Sequence, residues 1–348
     1  MKPVKHHTRH KRVDAAPSEL FAALDLGTNN CRLLIAKPVF QQTCQHKTLK
    51  VIDSYSRIVR LGEGMSESGE LSTEAMERTL KALRSCQNKL KRYQLAKSRF
   101  VATEACRRAI NGEAFMQQIE DEMGLHIDII SNEEEARLAF LGCSSLLQRD
   151  TRFALAFDIG GGSTEFMWVK IDGEKPVDSH KRHLIQDWLS LPYGVMNISE
   201  QFGGASYTEM YFEEIVDKIC GLLEPMNEAN QISKKMWREP VQLLSTSGTV
   251  TTLAAIHLDL PKYDRARVDG LKLSIADIRK ATQKLMQMSP SQRAMHPCIG
   301  SARTDYILSG CAIFEAIVRT FPIDTITIAD RGVREGIIVS LMREQHGG

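Results

Sequence analysis

The sequence predicts a mixed α/β protein built from two similar halves that face each other across a cleft. Three observations lead there. The stretch FALAFDIGGGSTEFMWV, residues 153–169, reads as a buried strand, a glycine turn and a second strand: residues 153–157 are apolar throughout, as burial on both faces requires, and residues 166–169 resume the pattern. FAALDLGTNNCRLLIA, residues 21–36, repeats the plan in the other half, with an apolar strand ending in Asp25, then Gly27, Thr28, two asparagines and a second apolar strand. Elsewhere strand-like runs alternate with helical ones, the pattern of sheets covered by helices.

Three consecutive glycines, Gly160, Gly161 and Gly162, allow positive φ and let bare N–H groups approach a ligand, while Ser163 and Thr164 add hydroxyl donors. Such a turn suits phosphate. Asp158 before it and Glu165 after it place two carboxylates where a hard cation such as Mg²⁺ would sit. A hairpin with a flexible tip is the alternative, and one glycine run does not decide between them. The second copy does favour a site, because two strand-Asp-x-Gly hairpins facing each other would hold a phosphate chain from both sides.

Taken in order after the first hairpin, residues 50–60 read as strand and LGEGMSESGE as loop. LSTEAMERTLKALRSCQNKLKRYQ has helical spacing, with Leu80, Leu83 and Leu90 on one face and Ser72 as N-cap, so it covers the sheet. SRFVATEACRRAIN starts as a strand and turns helical around residues 104–110. Arg107 and Arg108 therefore follow a strand end, where a guanidinium either grips phosphate oxygens bidentately or lies solvated. HIDII leads as a strand into SNEEEARLAFLGCSSLL, where Asn132 is the expected N-cap and Glu135 takes the capping-box position. Glu133, Glu134 and Glu135 either serve only to start that helix, favoured by its dipole, or put one carboxylate into the cleft as general base on a water.

Past the central hairpin, HLIQDWLSLPYGVMNISEQF runs from strand through Pro192 and Gly194 into a helix expected near Ser199, and YTEMYFEEIVDKICGLLEPM is the next helix. VQLLSTSGTVTTLAAI gives strand, small-residue turn and helix; Ser247, Gly248 and Thr249 open the helix either as an anion site on its free N–H groups or as a plain hydroxyl cap. A helix around residues 274–288, another with Arg303 and Asp305 near its start, a strand ITIAD and a helix RGVREGIIVSLM complete the chain.

At 348 residues the chain is long enough for about two domains, and 43% hydrophobic with 25% charged residues is ordinary for a globular protein. The eight cysteines form no CxxC pair and have no histidine at metal spacing, which predicts reduced thiols and no zinc site. Without a membrane-length apolar run or a signal-peptide core, the expected location is the cytoplasm. Lys2, Lys5, Arg9, Lys11 and Arg12 against Asp14 make residues 1–18 a basic tail and leave the rest mildly acidic. The expectation for that tail is disorder, with contact to a polyanion as the alternative; no specific nucleic-acid partner is expected.

DLGTNN at Asp25, ATEACRRAIN at Ala102, SNEEEARLAFLG at Ser131, DIGGGSTE at Asp158, LPYG at Leu191, SGT at Ser247 and DRGVREG at Asp330 run in one order through the chain. Together they resemble the exopolyphosphatase/guanosine pentaphosphate phosphatase (Ppx/GppA) family. The resemblance implies the actin-like ATPase superfamily fold, two ribonuclease-H-like domains flanking a cleft. Here they are expected at residues 19–134 and 135–348 after the 1–18 tail, with the last helix packing back on the first domain.

It also implies Mg²⁺-dependent release of terminal phosphate from inorganic polyphosphate, from the 5′-triphosphate of guanosine pentaphosphate, or both, by a homodimer. By position, Glu135 corresponds to the family's water-activating base and Arg107 to its phosphate-contacting arginine. Asp158 and Glu165, grouped with Asp25, correspond to the acidic residues near the metal. Gly27, Thr28 and Asn29, with Gly160 to Thr164, correspond to the two phosphate loops. Three departures stand out: Asn30 in place of a second small hydroxyl residue, Asn197 in place of a frequent arginine after LPYG, and no HD-type histidine-aspartate pair. They predict a weaker grip on very long polyphosphate. The competing readings are a phosphotransferase of the same superfamily, for which no acceptor motif is visible, and a non-catalytic nucleotide sensor.

Overall fold

The computed structural model describes residues 19–40, 47–173, 183–202 and 209–346; the basic tail lies outside them. The first half contains β1 (Phe21–Leu26), β2 (Asn30–Phe40), β3 (Lys47–Ile58), α1 (Met65–Ser68), α2 (Thr73–Leu90), β4 (Lys97–Ala102), α3 (Glu104–Arg108), α4 (Gly112–Met123), β5 (Asp128–Ile129) and α5 (Asn132–Cys143). The second contains β6 (Phe153–Ile159), β7 (Thr164–Ile171), β8 (His183–Leu191), α6 (Val195–Phe202), α7 (Glu209–Asn230), α8 (Ile232–Arg238), β9 (Val241–Ser245), α9 (Gly248–His257), α10 (Arg265–Val268), β10 (Lys272–Ser274), α11 (Ile275–Met286), α12 (Pro290–Met295), α13 (Ile307–Thr320), β11 (Thr325–Ile328) and α14 (Val333–His346).

Each apolar hairpin seeds a sheet. β1 pairs antiparallel with β2 and parallel with β4, giving the order β3-β2-β1-β4-β5. The same arrangement recurs as β8-β7-β6-β9-β11, with β10 added outside β11. This duplicated topology places one such sheet in each half of the chain, as the repeated hairpins predicted.

Strand residues alternate between faces, so each sheet buries two separate layers. Ala22, Leu24 and Leu26 pack under α2 and α4, while Phe21 and Ala23 face α5 and α14. In the second sheet Leu155 and Phe157 meet α7, α9 and α13, while Ala154 and Ala156 face α5. Helix α5 is accordingly apolar almost all round: Leu138 and Ala139 touch the first sheet's layer, and Ala136, Phe140 and Cys143 the second's. α14 crosses α5 at a glycine contact. A Cβ on Gly336 would lie 1.9 Å from the Leu138 carbonyl oxygen, and one on Gly142 would lie 2.2 Å from that of Gly332.

Several boundaries differ from expectation. Ser131, not Asn132, caps α5, its hydroxyl accepting from Glu134 N, so Glu135 lies beyond the capping-box position. Helix α6 starts at Val195 rather than near Ser199, because the N–H groups of Val195 and Met196 find acceptors in the carbonyls of Gly160 and Gly161. Arg303 and Asp305 precede α13 instead of opening it. The strand at residues 126–130 pairs only over Asp128–Ile129. The periodicity did not reveal β10, α4, α8, α10 or α12, which apart from α4 are short.

The crossing of α5 and α14 leaves no room for a methyl group, since the obstructing atoms are backbone. Gly336→Ala is expected to destabilise the protein by about 1–3 kcal/mol. Gly221→Ala, in α7 with nothing within 4 Å of its Cβ position, should instead stabilise by up to about 1 kcal/mol. Thermal melts check this; equal midpoints for the two variants would contradict it.

Candidate active site

The turns after β1 and β6 meet face to face between the domains. A Cβ on Gly161 would lie 3.2 Å from Thr28 Cβ and 3.4 Å from Asn29 N, and one on Gly162 would lie 3.0 Å from Thr28 Oγ1 and 3.1 Å from Glu104 Cγ. None of Gly160, Gly161 and Gly162 adopts positive φ, contrary to the expectation; Gly161 and Gly162 are needed because the opposite half crowds their Cβ positions, while a Cβ on Gly160 would crowd the Ser163 carbonyl of its own turn at 3.0 Å. Each loop is braced from outside. Thr28 O accepts from Gly62 N, Asn29 O accepts from Val59 N and Arg60 N, and the carbonyls of Gly160 and Gly161 accept from Val195 N and Met196 N. The N–H groups of Thr28, Asn29, Gly161 and Gly162 have no acceptor among the described residues, which leaves them available to an anion.

The carboxylates reach this point by strand register. Asp25 continues the face of Phe21 and Ala23, and Asp158 that of Ala154 and Ala156, so both acids project from the layers packed on α5. Arg32 stands opposite Asp25 in the first hairpin, and Glu165 opposite Asp158 in the second. The cleft between the loops is lined by Asp25, Arg32, Glu104, Glu135, Asp158, Gly248, Thr249, Arg303 and Tyr306 together with both turns.

The three acidic residues of the first turn of α5 take three directions. Glu133 is exposed, Glu134 pairs with Arg99 at 2.8 Å, and Glu135 lines the cleft. Burial and the neighbouring Glu165 carboxylate hold the Glu135 carboxyl well above the usual carboxylate range, against the pull of Arg107. Burial pushes Asp158 up to about 6, opposed by Arg32. Burial likewise raises Asp25 and Glu165.

Other expected site residues are placed differently. Arg107 does not line the cleft: its Nη2 donates to Glu104 Oε2 at 2.7 Å and to Glu135 Oε2 at 3.2 Å, and its Nη1 to the Ile130 carbonyl at 2.5 Å. Its fork holds the carboxylate of Glu135. Glu165 lies behind the cleft wall, accepting from Ser190 Oγ at 3.2 Å. Thr164 donates to the Tyr193 carbonyl, and the Ser247 hydroxyl caps α9 by accepting from Thr249 N. Asn197 accepts from Gly194 N and donates to the carbonyls of Gly162 and Pro192, so it fastens the second loop. Sequence reasoning passed over Arg32, Glu104, Arg303 and Tyr306 as site residues. An arginine inside the apolar run of β2 was the available signal for Arg32.

Asp25 and Asp158 offer hard oxygen donors from opposite hairpins, and burial raises the affinity of both for protons, a cost of carrying charge that a bound cation would offset. Among the described residues no group of three acids, histidines or cysteines is close enough to hold an ion alone. That suits Mg²⁺, which takes one or two carboxylates and completes its shell with water and phosphate oxygens. Glu165 fits a supporting place behind Asp158 better than direct ligation.

Two α/β halves whose glycine-containing turns converge on Glu135 define a protein with one polar cleft between two similar sheets. A model of the Ppx/GppA phosphatase family matches residues 39–345, and the chain belongs to that family. It is 30% identical to the bifunctional 3-dehydroquinate synthase/phosphatase of Fusobacterium nucleatum, over 92% of this chain and 46% of that protein. It is 29% identical to exopolyphosphatase 2 of Mycobacterium tuberculosis, over 92% of this chain and 98% of that one. The guanosine-5′-triphosphate,3′-diphosphate pyrophosphatase of Aeromonas hydrophila is 30% identical, over 94% and 60% respectively. The chain thus spans about half of the first relative and three fifths of the third. Among solved structures, the Aquifex aeolicus Ppx/GppA family member superposes with a TM-score of 0.73 at 28% identity, covering 94% of this chain and 98% of that one.

The acid cluster sets a pH dependence. Folded Asp158 holds its proton more tightly than the unfolded chain, where aspartate titrates near 3.8, so the stability it confers is full below that pH and is lost as pH rises through about 6. Glu135 and Glu165 act in the same direction. Without divalent cations the melting temperature should fall more steeply over this window in the wild type than in Asp158→Asn. Identical slopes would contradict the assignment.

Proposed function

We propose that the chain is a Mg²⁺-dependent phosphohydrolase that releases terminal phosphate from inorganic polyphosphate, from the 5′-triphosphate of guanosine pentaphosphate, or from both. The observation that carries this reading is Glu135, a largely buried carboxylate at the head of α5 that lines the cleft beside both turns and is held by Arg107. The names of the Mycobacterium and Aeromonas relatives support the two substrate classes. Membership of a phosphatase family favours water over a second substrate as acceptor.

In this reading the unpaired N–H groups of the two turns bind the terminal phosphate, and Arg32 and Arg303 in the cleft wall neutralise its charge. Glu135 takes a proton from the attacking water as the P–O bond to that water forms and the bond to the bridging oxygen breaks. Burial and the Glu165 carboxylate raise its proton affinity, which strengthens it as a base. Mg²⁺, when bound through Asp25 and Asp158, lowers the charge on the phosphate and on the departing oxygen. Location in the cytoplasm and assembly as a homodimer belong to the same reading. Among the described residues no helix is long and apolar enough to cross a membrane.

Phosphate release with Mg²⁺ from long polyphosphate, short polyphosphate and guanosine pentaphosphate tests the reading. Glu135→Gln should lose about 100-fold or more in turnover on every substrate the wild type uses. Unchanged turnover in the variant, or no release by the wild type, would overturn it. The ranking of substrates identifies the physiological class.

A further inference from the structure

Asn29 of the first phosphate turn reaches across the cleft to Tyr306, the residue that precedes α13 in the second domain. Asn29 Nδ2 donates to the Tyr306 hydroxyl at 2.8 Å. Both residues line the cleft, and both are more than nine-tenths buried, at 8% and 9% exposure. The other end of the same amide, Oδ1, is buried with no partner among the described residues. A buried acceptor without a donor is costly, and native proteins seldom leave one. The residue that carries it lines the cleft, where an anion calls for donors rather than acceptors.

A half-turn of the amide answers both problems. A phenolic hydroxyl donates as readily as it accepts, so Tyr306 can give its proton to Asn29 Oδ1 once the amide has turned. The NH₂ group then takes the place of the unpartnered oxygen and offers two donors. The backbone does not have to follow, because the Asn29 carbonyl is pinned by Val59 N at 2.9 Å and Arg60 N at 3.0 Å. Gly161 of the opposite loop packs against the same residue, so the turn happens where both phosphate loops converge.

We propose that Tyr306 is a positioning residue for the first phosphate loop: with phosphate in the cleft it donates to Asn29 Oδ1 and thereby turns the Asn29 NH₂ toward the anion. The bond joins a residue of one domain to a residue of the other, so the same contact couples phosphate capture to closure of the cleft. Tyr306 touches Asn29 rather than the reacting atoms, and its effect is on grip rather than on the chemical step. The proposal rests on the cleft binding phosphate, as in the function proposed above, but not on hydrolysis.

The test uses the full chain in the Glu135→Gln background with inorganic tripolyphosphate as probe. Tyr306→Phe removes one oxygen and keeps the ring. Calorimetry should show about five- to tenfold weaker binding, the scale of one lost hydrogen bond. Asn29→Ala should weaken binding at least as much, and the double variant no further than Asn29→Ala alone, because the two side chains act as a unit. In ¹⁵N spectra the Asn29 side-chain amide signals should shift on adding tripolyphosphate with Tyr306 present and stay put in Tyr306→Phe. With Glu135 intact, the loss should fall on KM more than on kcat. Equal affinity of Tyr306→Phe and its parent, additive losses in the double variant, or an amide shift independent of Tyr306 would each overturn the proposal. Should the wild type release no phosphate while tripolyphosphate binding still depends on Tyr306, the hydrolase reading falls and the positioning role stands. No binding of tripolyphosphate by the parent would overturn both.

Discussion

Helix α5 must satisfy two sheets at once, and the geometry of the cleft follows from that demand. Its Leu138 and Ala139 fill the layer beneath β1 and β2, while Ala136, Phe140 and Cys143 fill the layer beneath β6 and β7. A helix buried on opposite faces cannot tilt toward one sheet without opening a gap at the other, and interiors tolerate such gaps poorly. The close backbone contact at Gly142 and Gly336 adds α14 to the same unit. The end of α5 that reaches the cleft is thereby fixed, with Ser131 capping it and Glu135 directed between the loops.

The accumulation of acids follows from the same packing. Small apolar residues on the α5-facing side of β1 and β6 let the sheets approach the helix, and the next residue along that face in each strand is an aspartate. Asp25, Glu135 and Asp158 therefore converge on the cleft from three elements, and burial makes their charges expensive. A protein selected for stability alone would not keep this arrangement. It becomes favourable when a cation and an anion enter together, because the cation offsets the acids and the loop N–H groups take the anion. Arg107 limits the cost at Glu135, yet its shorter bond goes to Glu104, so Glu135 is steadied without being fully neutralised.

The two hairpins were legible in the sequence because a period of two and an apolar run need only local information. Once the hairpin at residues 153–169 is granted, register alone sets Asp158 opposite Glu165. The duplication was legible for the same reason, since each copy carries its own turn and its own aspartate. What local pattern could not supply was direction. Thr164 and Ser163 are adjacent hydroxyls in the sequence, but Thr164 bonds to the Tyr193 carbonyl, and Ser163, although it lines the cleft, bonds to the Glu165 carboxylate. Glu133, Glu134 and Glu135 are indistinguishable as helix-starting residues, and only the position of the second sheet selects Glu135. Tyr306 lies far along the chain from Asn29, in a turn without periodic signal, so nothing near either residue announces their contact.

Asn197 shows how a departure from a family pattern acquires a physical meaning. Where the resemblance leads one to expect an arginine, the amide ties Gly194 N, Gly162 O and Pro192 O together, using donors and acceptor at once. An arginine has no acceptor and could not reproduce the bond from Gly194 N. The second loop is thus held rigid by a neutral group, and positive charge in the cleft wall is left to Arg32 and Arg303, which stand in different domains. A phosphate in the cleft would therefore meet positive charge from both halves of the chain, just as the two loops offer N–H groups from both sides.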